Sequence, residues 1–226
     1  MAMPNSETVA VRGGLFVISG PSGVGKGTVV TKLLESDFGF VRSRSMTTRP
    51  RRPLDPNDVK YSFCDRETFM QMAVGGQILE YTEYGGNLYG TITSLLDEDI
   101  KAGKNILLEL DVNGAVAIKE KFPTAVTICL LPESFEELVR RLRGRGTESE
   151  DVISVRLNEA RREITHFYDF DYIVINRSGK VDEAAQAVLD IARLDSMRSC
   201  RMGDFYSDYI KSICESDAEG QLSIKE

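Results

Sequence analysis

The stretch from Leu15 to Thr28 reads LFVISGPSGVGKGT and joins two contrasting halves. The first half is apolar and of strand length, whereas the second half contains four glycines and one lysine in nine residues. Glycine lets successive backbone N–H groups converge on an anion, because no Cβ blocks the approach and positive φ angles are accessible. The spacing Gly20-x-x-x-x-Gly25-Lys26 therefore predicts a phosphate-binding loop at the end of a buried strand.

Residues at helical spacing follow the loop, so its amides and the positive end of a helix both face the same anion. Lys26 adds a point charge that reaches the β- and γ-phosphates of a nucleotide. The alternative, a glycine-rich turn with a solvated lysine, fits the full spacing and context poorly. The predicted ATP-binding residues in this loop are Gly20, Pro21, Ser22, Gly23, Val24, Gly25, Lys26, Gly27 and Thr28.

Position 27 is glycine, where most loops of this kind carry a Ser or Thr that ligates Mg²⁺. Thr28 supplies a hydroxyl one place later. Magnesium gives up its water reluctantly, so we expect it to be held mainly by nucleotide oxygens and water. The order Gly-Lys-Gly-Thr is similar to that of many nucleoside monophosphate kinases.

The composition is that of a globular chain: 226 residues, 42% hydrophobic and 28% charged. No apolar run reaches the roughly 20 residues of a membrane span, and the first residues lack the apolar core of a signal peptide, so we expect a cytoplasmic protein with no membrane partner. The formal net charge of −7 argues against a general nucleic-acid binder. The four cysteines form no C-x-x-C pair, which indicates neither a zinc site nor a disulfide framework.

Apolar runs at 15–19, 105–110, 125–131 and 172–175 alternate with helix-patterned segments. This alternation predicts an α/β fold with a mostly parallel sheet and helices on both faces. Capping boxes that begin at Ser134 and Thr147 place helix starts near 135 and 148. Residues 42–92 break the alternation with short aromatic and β-branched runs, which predicts a small, mostly antiparallel insertion.

The insertion contains a basic segment, RSRSMTTRPRR, in which Ser45, Arg49 and Arg52 offer a hydroxyl and two guanidinium groups. Guanidinium groups pair bidentately with phosphate oxygens, so the segment is a candidate site for a second anion. Tyr61 and Tyr89 follow, and tyrosine hydroxyls are uncharged phosphate ligands. A solvated basic loop is the alternative for the cluster taken alone.

Two carboxylates indicate which base accompanies that phosphate. Glu80 lies between apolar residues, and Asp111 ends the run from 105 to 110. A carboxylate only accepts hydrogen bonds. Guanine presents two neighbouring donors, the ring N1–H and the exocyclic amino group beside it, and adenine has neither of these two groups. A pocket built on such bonds rejects the wrong base strongly, so the pair predicts a purine monophosphate site with a preference for guanine. Taken singly, Glu80 is equally consistent with an exposed strand carboxylate.

Several blocks together, from about Gly14 to about Ile191, closely resemble the guanylate kinase family. They are GPSGVGKGT, SMTTRPRR, GGQILEYTEYGGNLYGT, ILLELDVNGA and RLRGRGTESEDVISVRL. The resemblance implies a P-loop NTPase-type core, a GMP-binding β insertion and a short helical lid. It also implies Mg²⁺-dependent transfer of the γ-phosphoryl group of ATP to GMP or dGMP. The implied division is a tail at 1–13, a core at 14–41, 93–139 and 166–195, the insertion at 42–92, a lid at 140–165 and a polar C-terminal tail at 196–226.

The resemblance also assigns roles, position by position. It implies catalytic roles for Lys26, Arg49, Arg141, Arg145 and Arg156. It implies GMP binding by Ser45, Arg49, Arg52, Tyr61, Glu80, Tyr89, Thr91 and Asp111. Asn176 resembles a residue near the adenine or ribose of ATP. Thr28 and Glu109 are the candidate magnesium contacts, and Glu109 departs from the family, which usually has Asp at this position.

Two other classes of protein remain as alternatives. A guanylate-kinase-like binding module shares the fold without catalysis, but such modules typically lack the loop glycines and lysine that are present here. A kinase of the same architecture with another acceptor, such as AMP, a pyrimidine monophosphate or a phosphorylated sugar, is disfavoured by Glu80 and Asp111. The expected partners are ATP and GMP, and the expected state is a monomer or a homodimer.

Overall fold

The computed structural model describes residues 13–51, 61–84, 86–144, 149–201, 209–211 and 213–214. The strands within these ranges are β1 (Leu15–Ser19), β2 (Phe40–Arg42), β3 (Ser45–Thr47), β4 (Tyr61–Phe63), β5 (Ile78–Tyr84), β6 (Asn87–Ile92), β7 (Asn105–Glu109), β8 (Val126–Pro132) and β9 (Tyr172–Asn176). The α-helices are α1 (Lys26–Leu34), α2 (Arg66–Val74), α3 (Thr93–Lys101), α4 (Val112–Lys121), α5 (Phe135–Arg143), α6 (Glu150–Thr165) and α7 (Val181–Asp195).

The main sheet has five strands in the order β2-β7-β1-β8-β9, and every neighbouring pair is parallel. The four apolar runs of the sequence form β1, β7, β8 and β9, so the α/β fold with a mostly parallel sheet is confirmed. The edge strand β2 was not predicted, because three residues carry too little pattern to be recognised.

Helices bury both faces of the central strand β1. Phe16 and Ile18 of β1 pack with residues of α1 and α7 on one face. Leu15 and Val17 pack with residues of α3 and α4 on the other face. Alternate residues of a strand point to opposite faces, so a strand covered on both sides must be apolar throughout. Full burial of each such side chain contributes roughly 1.5–3 kcal/mol.

The second sheet has four strands in the order β4-β3-β6-β5. Its two antiparallel pairs, β3 with β6 and β5 with β6, and its one parallel pair, β3 with β4, make it a small mixed sheet. Phe69 of α2 is fully buried against Met46, Ile78 and Leu88, which gives this sheet a core of its own. The sheet can therefore present polar side chains on its other face.

Helix ends follow the sequence signals in most cases. The Ser134 hydroxyl accepts a hydrogen bond from the Glu137 amide at 3.2 Å, which starts α5 at Phe135 as predicted. Helix α6 starts at Glu150 with Ser149 at its N-cap position, two residues after the predicted start, and Thr147 lies outside the described residues. Among the helices of the described ranges, none is both long and apolar enough to cross a bilayer.

The carboxyl ends of the parallel strands position the functional groups. The glycine loop joins the central strand β1 to α1, while Glu109 ends β7 and Asn176 ends β9. Asp111 follows β7 directly as the N-cap of α4. In open α/β sheets ligands bind in the crevice at this edge, where neighbouring strands lead to opposite faces.

Candidate active site

The loop from Gly20 to Gly25 requires glycine at three positions, since Gly20, Gly23 and Gly25 have φ angles of 135°, 90° and 98°. A Cβ on Gly20 would lie 2.2 Å from the Leu130 carbonyl oxygen, and one on Gly25 would lie 2.7 Å from the Asn176 amide nitrogen. Side chains are therefore excluded by conformation and by space. Gly27 differs, because it lies within α1 and a Cβ there would meet only Glu109 Oε1, at 3.4 Å.

Lys26 is the first residue of α1, and its side chain folds back over the loop. Its Nζ donates to the Gly20 carbonyl oxygen at 2.5 Å and lies 3.4 Å from that of Pro21. Burial lowers the pKa of Lys26, and the carboxylates of Glu163, Glu109 and Asp111 oppose this effect. The ammonium group therefore lies beside the loop, close to acidic groups from three other elements.

Residues of α5 and β9 hold the loop at Val24. The Asn176 amide nitrogen donates to the Val24 carbonyl oxygen at 2.8 Å. Arg141 donates to the same oxygen at 2.9 Å, to the Asn176 carbonyl oxygen at 2.8 Å and to Glu137 Oε1 at 2.7 Å. Asn176 and Arg141 thus support the backbone of the loop, and they line a cavity of about 540 Å³ together with Gly23, Gly25 and Thr28.

Helix α6 contacts the loop at Ser22. Arg156 donates to the Ser22 hydroxyl from Nε at 3.2 Å and from Nη2 at 2.9 Å. Arg156 and Arg141 therefore contact the loop at different residues, Ser22 and Val24. Arg145, the third predicted lid arginine, lies outside the described residues.

The predicted GMP-phosphate ligands lie together on the small sheet. Tyr61 and Tyr89 stack edge to face with ring centroids 5.9 Å apart. The guanidinium carbon of Arg49 lies 5.6 Å from the Tyr61 ring centroid, and Arg49 is only 8% exposed. Burial raises the pKa of the Tyr61 hydroxyl, so this group is a hydrogen-bond donor over the neutral range. Arg52 lies outside the described residues.

The predicted base readers form a second group beside these ligands. Ser45 and Thr91 are cross-strand partners, and the Thr91 hydroxyl donates to Glu80 Oε1 at 2.7 Å. The Asp111 and Glu80 carboxylates both approach Gly114, since a Cβ there would lie 3.1 Å from Asp111 Oδ1 and 3.4 Å from Glu80 Oε2. Burial raises the pKa of Glu80, and the neighbouring Asp111 raises it further, while the Thr91 hydroxyl and Lys121 act in the opposite direction.

One cleft of about 930 Å³ connects the loop with the small sheet. It lies between the main sheet, the small sheet and α6. Of the predicted residues, those that line it are Ser22, Lys26, Ser45, Tyr61, Glu109, Asp111 and Arg156. The phosphate loop thus lines both this cleft and the cavity of about 540 Å³ beside Asn176.

The two possible magnesium contacts lie on the same part of the loop surface. Thr28 and Glu109 both line a cavity of about 710 Å³ that runs along the loop. Glu109 also forms an ion pair with Arg42, with Nη1 and Oε2 3.3 Å apart. A carboxylate and a hydroxyl are hard oxygen donors of the type that Mg²⁺ prefers, so the chemistry of these residues fits the ion.

Three supporting residues were missed by the sequence analysis. Glu137 holds Arg141, and its position four residues earlier on the same helix could have predicted this. Arg42 pairs with Glu109 across neighbouring strands, and Glu163 accepts a hydrogen bond from the Ser22 amide 141 residues away in the chain. No local pattern predicts contacts of that kind.

A parallel sheet whose central strand leads through a glycine loop into a lysine-bearing helix defines this chain as a P-loop nucleotide-binding protein. The second, mixed sheet lies across a cleft from that loop, where an acceptor molecule can meet a bound nucleotide. A family model described as guanylate kinase matches residues 12–194. The chain belongs to the guanylate kinase family.

Individual relatives agree with this assignment. The chain is 44% identical over 202 residues to a guanylate kinase of Lactococcus lactis, and the aligned region covers 89% of this chain and 98% of that protein. It is 39% identical over 219 residues to a guanylate kinase of Sphingopyxis alaskensis, which covers 96% and 100%. The crystal structure of guanylate kinase from Anaplasma phagocytophilum superposes with a TM-score of 0.67 at 32% identity, over 85% of this chain and 92% of that one.

Proposed function

We propose that this protein is an ATP:GMP phosphotransferase that converts GMP and ATP into GDP and ADP, with dGMP as a further acceptor. In this reaction an oxygen of the acceptor phosphate forms a bond to the γ-phosphorus while the bond to the β,γ-bridging oxygen breaks. Such transfer needs positioning and charge neutralisation more than covalent help from the protein. The acceptor phosphate is already largely ionised near neutral pH, so no general base is required.

On the donor side, the loop amides and Lys26 hold the β- and γ-phosphates. The cavity beside Asn176 and Arg141 takes the rest of ATP, and both residues fix this part of the loop by donating to the Val24 carbonyl oxygen. Arg156 lies at the other side of the loop, within reach of the transferred group. Guanidinium groups in this position stabilise the negative charge that spreads over the equatorial oxygens.

On the acceptor side, Arg49, Arg52, Tyr61 and Tyr89 hold the GMP phosphate. Glu80 and Asp111 accept hydrogen bonds from the guanine N1–H and amino groups, and Thr91 orients the Glu80 carboxylate through the 2.7 Å bond. Ser45, beside Thr91 in the sheet, contributes a hydroxyl at the edge of the base.

Magnesium accompanies ATP in this proposal, and Thr28 and Glu109, which line one cavity, are the protein groups that would hold it. The ion supplies charge neutralisation at the β- and γ-phosphate oxygens. Arg42 holds the Glu109 carboxylate in place on the main sheet. Because position 27 has no hydroxyl, most ligands of the ion come from the nucleotide and water.

The domain division inferred from the sequence is part of the same proposal: core at 14–41, 93–139 and 166–195, GMP-binding insertion at 42–92 and lid at 140–165. The lid arginines Arg141, Arg145 and Arg156 close over the phosphates and exclude water, which prevents wasteful hydrolysis of ATP. Either a monomer or a homodimer is compatible with this division.

The observation that carries the proposal is that the Glu80 and Asp111 carboxylates converge on Gly114, and that Asp111 lines a cleft that Lys26 also lines. It predicts a strong preference for guanine among acceptors. We expect ADP release with ATP and Mg²⁺ to be at least about 10³-fold faster, as kcat/KM, with GMP or dGMP than with AMP, CMP or UMP, because a site built on obligatory hydrogen bonds rejects bases that lack the donors.

A coupled ADP-release assay over the five acceptors measures this preference, and the Lys26→Met variant serves as the inactive control. Comparable rates with AMP and GMP would remove Glu80 and Asp111 from the base site. ATP hydrolysis that is independent of every acceptor would contradict the kinase assignment, and binding of ATP or GMP without turnover would favour a binding module.

A further inference from the structure

Two side chains of α6 form hydrogen bonds with Ser22 of the phosphate loop. Glu163 Oε2 accepts a hydrogen bond from the Ser22 amide at 3.2 Å. Arg156 donates to the Ser22 hydroxyl, at 2.9 Å from Nη2. Arg156 and Glu163 are two helical turns apart, so they lie on one face of α6. Both side chains line the cleft that connects the loop to the small sheet.

The position of Ser22 in the loop makes its amide important for the geometry of the loop. The preceding residue is Pro21, which has no N–H group, so the Ser22 amide is the first donor after Gly20 in the loop. The Lys26 ammonium group lies against the carbonyl oxygens of Gly20 and Pro21, immediately before Ser22. The Glu163 carboxylate is therefore close to the backbone that Lys26 contacts. Its negative charge is opposite in sign to that of the Lys26 ammonium group.

We propose that Glu163 is a positioning residue for phosphoryl transfer, which anchors the Ser22 amide next to the carbonyl oxygens that Lys26 contacts. This inference rests on the proposed function, because it concerns how the loop receives ATP. A charge-assisted bond to a backbone amide is stronger than a neutral one, so the carboxylate fixes the outer edge of the loop before nucleotide arrives. Preorganisation of this kind strengthens every later contact with the phosphates.

Charges around the pair come from several elements. Glu109 at the end of β7, Asp111 at the start of α4 and Cys129 on β8 also act on Lys26, but less strongly than Glu163. Burial raises the pKa of Glu163, and the acidic groups of Asp111 and Glu159 add to this effect, while Lys26 and the Ser22 amide act in the opposite direction. Glu163 thus combines the strongest carboxylate influence on Lys26 with a direct hydrogen bond to the loop.

Three variants test the proposal. Glu163→Gln keeps an oxygen acceptor for the Ser22 amide and removes the charge, Glu163→Ala removes both, and Glu159→Gln removes a charge one turn earlier on the same helix. Each is compared with the wild-type protein by kcat, by KM for ATP and for GMP, by ATP binding in a calorimeter without GMP, and by the midpoint of thermal unfolding.

We expect Glu163→Ala to bind ATP about tenfold more weakly and to lower kcat by about tenfold or more, since loss of one charged hydrogen bond is worth that factor. Glu163→Gln should recover most of the ATP affinity while its kcat stays low, because only the charge is missing. The KM for GMP should stay within about twofold in both variants, and Glu159→Gln should behave like the wild-type protein.

Three outcomes would overturn the inference: ATP binding and kcat near wild-type values in both Glu163 variants, equal losses for ATP and GMP that follow a lowered unfolding midpoint, or the same losses in Glu159→Gln. If Glu163→Ala does not fold, Glu163→Gln still decides the role of the charge. Because ATP binding is measured without an acceptor, a failure of the GMP assignment leaves this result interpretable.

Discussion

At the scale of single residues, Glu80 makes the most specific demand on its surroundings. In the proposed function this carboxylate must be charged to accept two hydrogen bonds from guanine, yet burial and the neighbouring Asp111 raise its pKa above the usual value for glutamate. A raised pKa means that the charged form is lost at a higher pH than in an exposed glutamate as the solution becomes acidic. GMP recognition should therefore weaken on mild acidification.

We expect the KM for GMP to rise as the pH falls through the raised pKa of Glu80. The Glu80→Gln variant should have a KM for GMP at least tenfold higher near neutral pH, since it presents a donor to a donor and loses a charged bond. Its KM should lack the part of the acid dependence that comes from the carboxylate. Initial rates at saturating ATP over a pH series measure both effects.

The GMP phosphate itself titrates near pH 6, on the scale of other phosphate monoesters, and this change is common to the two proteins. The difference between their pH profiles therefore isolates Glu80, and the KM for ATP in the same series serves as an internal control. Identical profiles, or an equal rise in KM for both nucleotides, would place Glu80 outside the base site.

At the scale of elements, the junction of β1, the loop and α1 contains a matched pair of glycines. Gly25 has a φ of 98°, and a Cβ there would lie 2.7 Å from the Asn176 amide nitrogen. Gly27 lies two residues later within α1, where a Cβ meets only the end of the Glu109 side chain at 3.4 Å. The same substitution should therefore have different consequences at the two positions.

We expect Gly25→Ala to destabilise the protein by about 1–2 kcal/mol through the left-handed backbone alone, and to weaken ATP binding strongly by displacing Asn176 from the Val24 carbonyl oxygen. Gly27→Ala should affect both quantities far less. Denaturant unfolding and calorimetric ATP binding measure the two effects. Equal effects of the two substitutions would show that backbone conformation does not govern the loop.

The same elements show what the sequence can and cannot predict. Strands β1, β7 and β8 were predicted because strands buried on both faces are apolar throughout. The edge strand β9 was predicted from its apolar run, although Ile173 and Ile175 are exposed. The glycine loop was predicted because its geometry demands a fixed spacing. Asn176 stays a predicted neighbour of the adenine or ribose, but its hydrogen bond to the Val24 carbonyl oxygen was not predicted, because it depends on how β9 meets the loop. Contacts between distant segments, such as Glu163 with Ser22, follow from packing and leave no local pattern.

At the scale of the whole molecule, the residues of the proposed active site and a buried ion pair that holds the segment after α7 lie at opposite edges of the main sheet. The loop, Glu109 and Asn176 lie at the carboxyl ends of the strands. At the other edge, Arg201 donates to the carbonyl oxygen of Gly13 at 2.8 Å and to Asp195 at 2.8 Å. It therefore ties the segment after α7 to the residues that lead into β1.

This anchor is a buried ion pair, because the side chains of Arg201 and Asp195 are only 7% and 2% exposed. We expect Arg201→Met to destabilise the protein by about 3–5 kcal/mol, since it leaves a buried carboxylate without its main partner. Arg198 also contacts Asp195, at 3.1 Å, which favours the lower end of that range. For a protein of this size the change corresponds to a fall of roughly 10 °C in Tm.

The double variant Arg201→Met with Asp195→Leu supplies the control, because replacing both charges by apolar groups removes the unpaired carboxylate and should restore much of the loss. Calorimetric unfolding measures Tm, and the kinetic constants are measured well below the transition. The KM values for ATP and GMP should not change in either variant, because the anchor lies at the edge of the sheet away from the loop. A lowered ATP affinity at an unchanged Tm would contradict this separation and would mean that the C-terminal segment acts on the nucleotide site.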